Sequence, residues 1–403
     1  MVPKLDADDA EHSAGSAIEQ RRAQILERFK KLVILETPTS DAEAIDALVV
    51  ILAERYVELG GKVRLISVEG GSHLVADFAG AGQLASEPPV LLVGHSDTVW
   101  PRGTLDEMPW RVDEGTVTGP GNFDMKSGLV IIETVLDVLR ETSGDYRPVR
   151  VAIACDEEIG SPTFEATFRD ALAGVGCVLG FESPHPDGAL KTGRYGSTRF
   201  ELHVDGRAAH AALDPGEGVS AIDELVDQLI AVRAIVDEAN ASEAEPLVLL
   251  NVGAIDGGAR ANVVPDHAHA LIGLRFATPE AEAQVLGRLE RLEPVRPRAV
   301  LRPQVASRRP AWAAGDATQL LLGRVQAIAA GLGVEITGRV ARGAADTNLA
   351  GALGIPTLDG FGPTGGGAHA RSENSDVESL YERIALLCAF LRAPHWSPPT
   401  PGR

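Results

Sequence analysis

Three short apolar runs, PVLLVGHSD (89–97), PVRVAIACDEE (148–158) and GCVLGFE (176–182), each end on ionisable side chains. Runs this short and this rich in β-branched residues read as strands buried on both faces, which belong to parallel sheets covered by helices. The covering helices are legible too. Ile25, Leu26, Phe29, Leu32 and Val33 line one face of a segment near 18–36, and Ile45, Leu48, Val49, Leu52 and Tyr56 line a second. Ser40 and Glu43 form a capping-box pattern for that second helix, and Gly60-Gly61 stops it. KVRLISV and HLVADFA supply further strands, and another helix is expected from about Met125 to Arg140. Strands alternating with amphipathic helices predict an α/β domain with a largely parallel central sheet.

After Gly196 the texture changes. Residues 197–309 read strand, helix, strand, strand, helix, strand, a small α+β layer. Alternation then returns through a helix near 318–330, the strands VEITGRV and PTLDGF, and a C-terminal helix with a Ser375–Glu378 capping box. The expected organisation is an α/β domain made of residues 1–196 and 310–403, interrupted by an inserted α+β domain, 197–309. Residues 1–15 are expected to fray and the tail HWSPPTPGR to be loose. Lys and Arg total 37 against 57 Asp and Glu, a net charge of −20, and that surface repels nucleic acid and anionic membranes. No apolar run approaches the ~20 residues of a membrane span. The acidic first residues carry no apolar signal core, and three cysteines are too few for a disulfide framework, so a cytoplasmic location is expected.

Ligands of open α/β sheets bind outside the carboxyl ends of the strands, so the polar strand ends are candidates for one site. Alternation puts His95 and Asp97 on the same side, where the carboxylate can orient the imidazole. Asp124 follows in GPGNFDMKSG, at the opening of a helix, where it can cap that helix or bind a cation. The adjacent acids Asp156, Glu157 and Glu158 repel one another unless a cation or several donors hold them. Glu182 closes a third strand, and His369 lies in FGPTGGGAHARSE, where glycines let the backbone approach closely. Two imidazoles and several carboxylates without a thiolate suit zinc, cobalt or manganese. His73, His185, His203, His267 and His269 have no such context and are read as solvated or structural.

The motifs GHSDTV, GPGNFDMKSG, a strand ending DEE, GFE, GRAAHA, RANVVP and GGGAH stand in this order along the chain. In that set the sequence resembles the M20 family of dinuclear zinc peptidases and deacylases, particularly its glutamate carboxypeptidase branch, from about residue 20 to 393. The resemblance implies a zinc exopeptidase-like α/β catalytic domain with an inserted lid and dimerisation domain. It implies two Zn2+ per subunit (or Co2+ or Mn2+), with His95 and Glu182 on one, Glu158 and His369 on the other, and Asp124 bridging. Asp97 would orient His95, Glu157 would be the general base acting on a bridging water, and the peptide from Asp124 to Met125 would be cis. His210 would reach a partner's site across a homodimer, Asn262 would contact substrate, and Arg275 would hold the substrate carboxylate. Arg308 and Arg309 are further candidates for a side-chain carboxylate, and Gly366 and Gly367 for backbone donors. Asp346 would hold loops near the site, and the two domains would close by a hinge. The implied reaction is hydrolysis of an amide beside a free carboxylate, in a small peptide or an N-acyl amino acid. Two alternatives stand beside it: a deacylase of the acetylornithine or succinyl-diaminopimelate type, and a metal-dependent binding protein without turnover, which the presence of Glu157 argues against.

Overall fold

The computed structural model describes residues 7–142, 144–241, 243 and 245–393. The tail expected to be loose, and the first six residues, lie outside that range. The chain divides into two compact units: Met1–Thr192 with Ala314–Arg339 and Ala345–Arg403, and Gly193–Ala313 with Val340–Ala344.

A six-stranded sheet runs through the first unit, in the order Lys62–Val68, Gly71–Phe78, Val149–Ala154, Val90–His95, Cys177–Gly180, Thr357–Leu358. The last four are parallel to one another, while the first two form an antiparallel hairpin that pairs with Val149–Ala154. Only two residues, Glu69 and Gly70, separate those strands, too few for a crossover, and Gly70 supplies the positive φ of 94° that the turn needs. Strand alternation feeds two apolar layers. Leu74, Leu92, Val151, Ile153 and Leu179 pack under the long helices Ala7–Val33, Ala42–Glu58, Ser127–Glu141 and Val377–Arg392. Val75, Leu91, Val93, Ala152 and Val178 pack under the short helices Phe164–Ala171 and Thr347–Ala352. The strands are therefore wrapped on both sides, which is why they read as unbroken apolar runs.

Several local expectations shift. The first helix begins at Ala7 rather than near residue 18. The helix caps are Asp41, which accepts from the Ala44 amide, and Asp376, which accepts from Ser379, each one residue after the serine of the capping-box pattern. Of VEITGRV, only Gly338 onward is strand. Phe164–Ala171 was not expected as a helix, because two turns carrying three buried apolar residues give too little periodicity to read.

An antiparallel four-stranded sheet forms the second unit, ordered Val248–Gly257, His267–Phe276, Gly196–Asp205, Val300–Arg309. Phe200, Leu202, Val204, Ala270, Ile272 and Leu274 join the helices Ala221–Asn240 and Pro279–Leu289 in one core. The alternate side chains of the strands point to the opposite face. Among the described residues, no helix is long and apolar enough to cross a membrane. Cys155, Cys177 and Cys388 are all buried and unbridged.

Candidate metal centre

His95 is the last residue of its strand and is only 1% exposed. Its Nδ1 donates to the Asp97 carbonyl at 3.0 Å and stands 3.3 Å from Asp97 Oδ1, so the ring's other nitrogen, Nε2, faces inward toward the carboxylates. Nε2 lies 3.3 Å from Asp124 Oδ1 and 3.5 Å from Glu182 Oε1. Burial opposes a charge on this ring, but the carboxylates of Asp124, Asp97 and Glu182 outweigh it and raise its pKa well above the usual value.

Asp124 sits in an irregular turn, Asn122–Lys126, and its peptide to Met125 is cis. The Met125 side chain lies against two glycines: a Cβ on Gly94 would come within 2.6 Å of Met125 Cε, and one on Gly128 within 2.4 Å. Those glycines let the turn press against the His95 strand, whose His95 amide donates to Met125 Sδ at 3.2 Å. While Asp124 Oδ1 faces His95, Oδ2 faces His369 Nε2 at 3.2 Å. Burial works against its charge, yet the two imidazoles hold its pKa far below the usual carboxylate range.

His369 adopts a left-handed backbone, φ 61°, and also stands 3.1 Å from Glu158 Oε2. Its bonds to Asp124 and Glu158 push its pKa up to about 10. Burial raises the pKa of Glu158, whose Oε1 is buried with no hydrogen-bond partner among the described residues. The Glu157 carboxylate falls in one group with His95 and Glu182, their ligating atoms all within 4.8 Å of one another. Both Asp97 oxygens are anchored, Oδ1 by the Glu157 amide and Oδ2 by the Glu158 amide, each at 3.1 Å, with the Thr39 hydroxyl adding a bond at 2.8 Å. Against the cost of burial, the bonds from His95, Thr39 and the Glu158 amide keep its pKa low.

These residues fit a pair of divalent cations. Ligand bonds of about 2.0–2.1 Å in a tetrahedral shell place donor atoms about 3.3 Å apart, and the four histidine–carboxylate separations run from 3.1 to 3.5 Å. The unpartnered Glu158 Oε1 is a buried acceptor that a cation would satisfy.

The Gly365–Gly366 strand pairs with Asn374–Asp376, and Gly367, at φ 73°, turns so tightly that a Cβ would meet the Ser372 carbonyl carbon at 2.7 Å. His210, Asn262 and Arg275 belong to the second unit. Arg308 pairs with Glu282, buried on the helix-covered side, and Arg309 faces the other way. Asp346 accepts from the Ser161 hydroxyl, just beyond the DEE run.

Glu373 was not singled out from the sequence. Buried, it accepts from the amides of Gly121, Phe123 and Asp124 at 3.0, 2.9 and 3.1 Å and from Trp100 Nε1 at 2.7 Å. It thus clamps the backbone that carries Asp124. A glutamate four residues past a histidine in a glycine-rich loop was the available signal. Glu373→Gln turns one acceptor oxygen into a donor facing donors, and we expect about 10–100-fold weaker metal affinity, the range for outer partners of ligands, with kcat at saturating metal much less affected. Chelator competition measures the first and steady-state kinetics the second.

The sequence model described as Peptidase family M20/M25/M40 matches residues 91–393. Carboxypeptidase G2 of Pseudomonas sp. (strain RS-16) is 29% identical over 403 aligned positions, 94% of each chain. An acetylornithine deacetylase of Vibrio campbellii is 30% identical over 59% of this chain and 67% of its own. A tripeptidase structure from Staphylococcus aureus superposes with a TM-score of 0.71 at 21% identity, covering 92% of this chain and 98% of its own. With the family model spanning residues 91–393, most of its length, this chain belongs to Peptidase family M20/M25/M40 and is a metallohydrolase.

Proposed function

We propose that the protein hydrolyses an amide bond adjacent to a free carboxylate, in a small peptide or an N-acyl amino acid, at a dinuclear centre built on Asp124. The observation that carries this reading is the Asp124 carboxylate, whose two oxygens each face a different histidine. His95 and Glu182 would hold one cation and Glu158 and His369 the other, with zinc the first choice and cobalt or manganese alternatives. Bound there, two such cations supply Lewis acidity for the scissile carbonyl and lower the pKa of water. Glu157, beside His95 and Glu182, takes the water's proton and returns it to the leaving amine.

Residues of the second unit supply substrate contacts in this reading. His210 Nδ1 accepts from the Ala212 and Leu213 amides at 3.2 and 3.1 Å, so the ring carries its proton on Nε2, a donor suited to an oxyanion. The Ala211 amide bonds the Asn262 carbonyl at 3.0 Å and ties those two segments together. Arg275 shares its sheet face with Arg199 and Arg309, and burial together with their positive charge lowers its pKa. Three guanidiniums gathered in a chain of net charge −20 favour an anionic substrate group. The relative named a carboxypeptidase supports release of a C-terminal residue; the one named acetylornithine deacetylase supports the deacylase alternative.

The second unit also favours a homodimer. Ile222, Val226 and Ile230 form an exposed stripe at i, i+4, i+8 on the helix Ala221–Asn240, and Val248–Gly257 is an edge strand bearing the exposed Ile255. Ile230 is 62% exposed, so Ile230→Lys leaves the fold intact and is expected to yield a monomer by light scattering.

The test of function is a hydrolysis screen of the zinc-loaded protein on dipeptides and N-acyl amino acids ending in Glu, Asp, Ala, Leu or Phe. Release of the C-terminal amino acid supports the proposal and names the preferred side chain. Two bound metals with no turnover of any member would overturn it.

A further inference from the structure

On the helix-free face of the second unit lies a cluster that this chemistry does not use. The strands Gly196–Asp205 and His267–Phe276 place His203 directly opposite His269, and their rings stack with centroids 4.4 Å apart and planes 23° from parallel. Glu201, two residues before His203, puts Oε2 3.0 Å from His203 Nε2 and 3.8 Å from His269 Nε2. On the third strand, Asp256 stands opposite His269 and accepts from its Nδ1 at 3.1 Å. That bond fixes the proton on Nδ1 and leaves Nε2 a lone pair. Nε2 is buried and has no hydrogen-bond partner among the described residues. With no hydrogen bond of its own, Nε2 lies 3.8 Å from Glu201 Oε2, a gap that a cation between them would fill.

We propose that Glu201, His203 and His269 form a binding site for a divalent transition-metal cation, zinc by donor type, made wholly of second-unit residues. Two imidazole nitrogens and one carboxylate oxygen are the donor set that zinc takes in three-ligand sites, with the fourth position open to water. The separations of 3.0 and 3.8 Å bracket the about 3.3 Å edge of a tetrahedral zinc shell. Asp256 plays the part of the carboxylate that holds a ligating histidine by its other nitrogen. The side chains of Glu201, His203 and His269 remain 27%, 37% and 27% exposed, so the cluster lies at the surface of the unit. Occupied, the site would staple two neighbouring strands, joining residues 66 positions apart (269 − 203).

The probe is Zn2+ alone, titrated into the full-length protein against a chromophoric chelator, with bound metal counted by elemental analysis. Wild type is expected to hold one equivalent more than His269→Ala, whatever the Asp124 centre contains. Asp256→Asn, which leaves all three ligands in place, is expected to weaken that extra equivalent by about 10–100-fold, an effect that a purely structural hydrogen bond does not produce. Glu201→Gln, nearly identical in shape, serves if the histidine variant fails to fold, and it too is expected to lose the equivalent. Equal stoichiometry in wild type, His269→Ala and Glu201→Gln would overturn the proposal.

Discussion

Glu157→Ala is expected to keep both metals and lose turnover by about 10²–10⁴-fold, the range for a general acid–base group. At about 1.4 kcal/mol per factor of ten, that is roughly 3–5 kcal/mol of barrier. The substitution is clean because Glu157 anchors Asp97 through its backbone amide, which alanine retains. Asp97 therefore keeps its hold on His95, and Glu158 keeps its place against His369. Kinetics at saturating zinc, with metal content determined on the same sample, check the outcome. Wild-type turnover in this variant would remove Glu157 from the proton path. A parallel loss of metal would instead make it a ligand.

Asp124→Ala is expected to act on both cations at once. Every other proposed ligand serves one side of the centre, whereas Asp124 faces His95 with one oxygen and His369 with the other. The expected loss of affinity exceeds the 10–100-fold typical of an outer partner at both sites, and in a His269→Ala background, which removes the proposed second-unit site, dialysed protein should retain less than one equivalent. Glu182→Ala in the same background is the contrast, since of the two histidines its carboxylate approaches only His95 among the described residues, and one cation should remain at the Asp124 centre. Elemental analysis after dialysis separates the two patterns. Circular dichroism confirms that the fold, whose core lies under the helices rather than at the strand ends, survives both substitutions.

What could be read from the sequence was local in kind. Apolar runs ending in His95, Glu158 and Glu182 marked the buried strands and the edge where a site forms, because burial and alternation leave their trace in consecutive residues. Pairings set by distant backbone left no such trace. Glu373 acts on amides about 250 positions earlier, and nothing near it announces that they turn inward. His203 and His269 were set aside as lone histidines, yet strand register makes them neighbours. The helix caps fell one residue late because Asp41 and Asp376 cap as well as the serines before them. The antiparallel edge of the sheet came from a hairpin turn that composition alone does not distinguish from a longer connection.

The split of the first unit around the second also sets a timetable for synthesis. His369 follows His95 by 274 positions (369 − 95), with the second unit made in between. At ~5–20 residues per second, translation spends roughly 14–55 s on that interval. During it, Asp124 has neither its second histidine nor the Glu373 clamp. The strand Thr357–Leu358 and the helix Val377–Arg392 that close the core are missing as well. In the proposed reading, the centre at Asp124 therefore cannot be completed before residues 369–373 have been made.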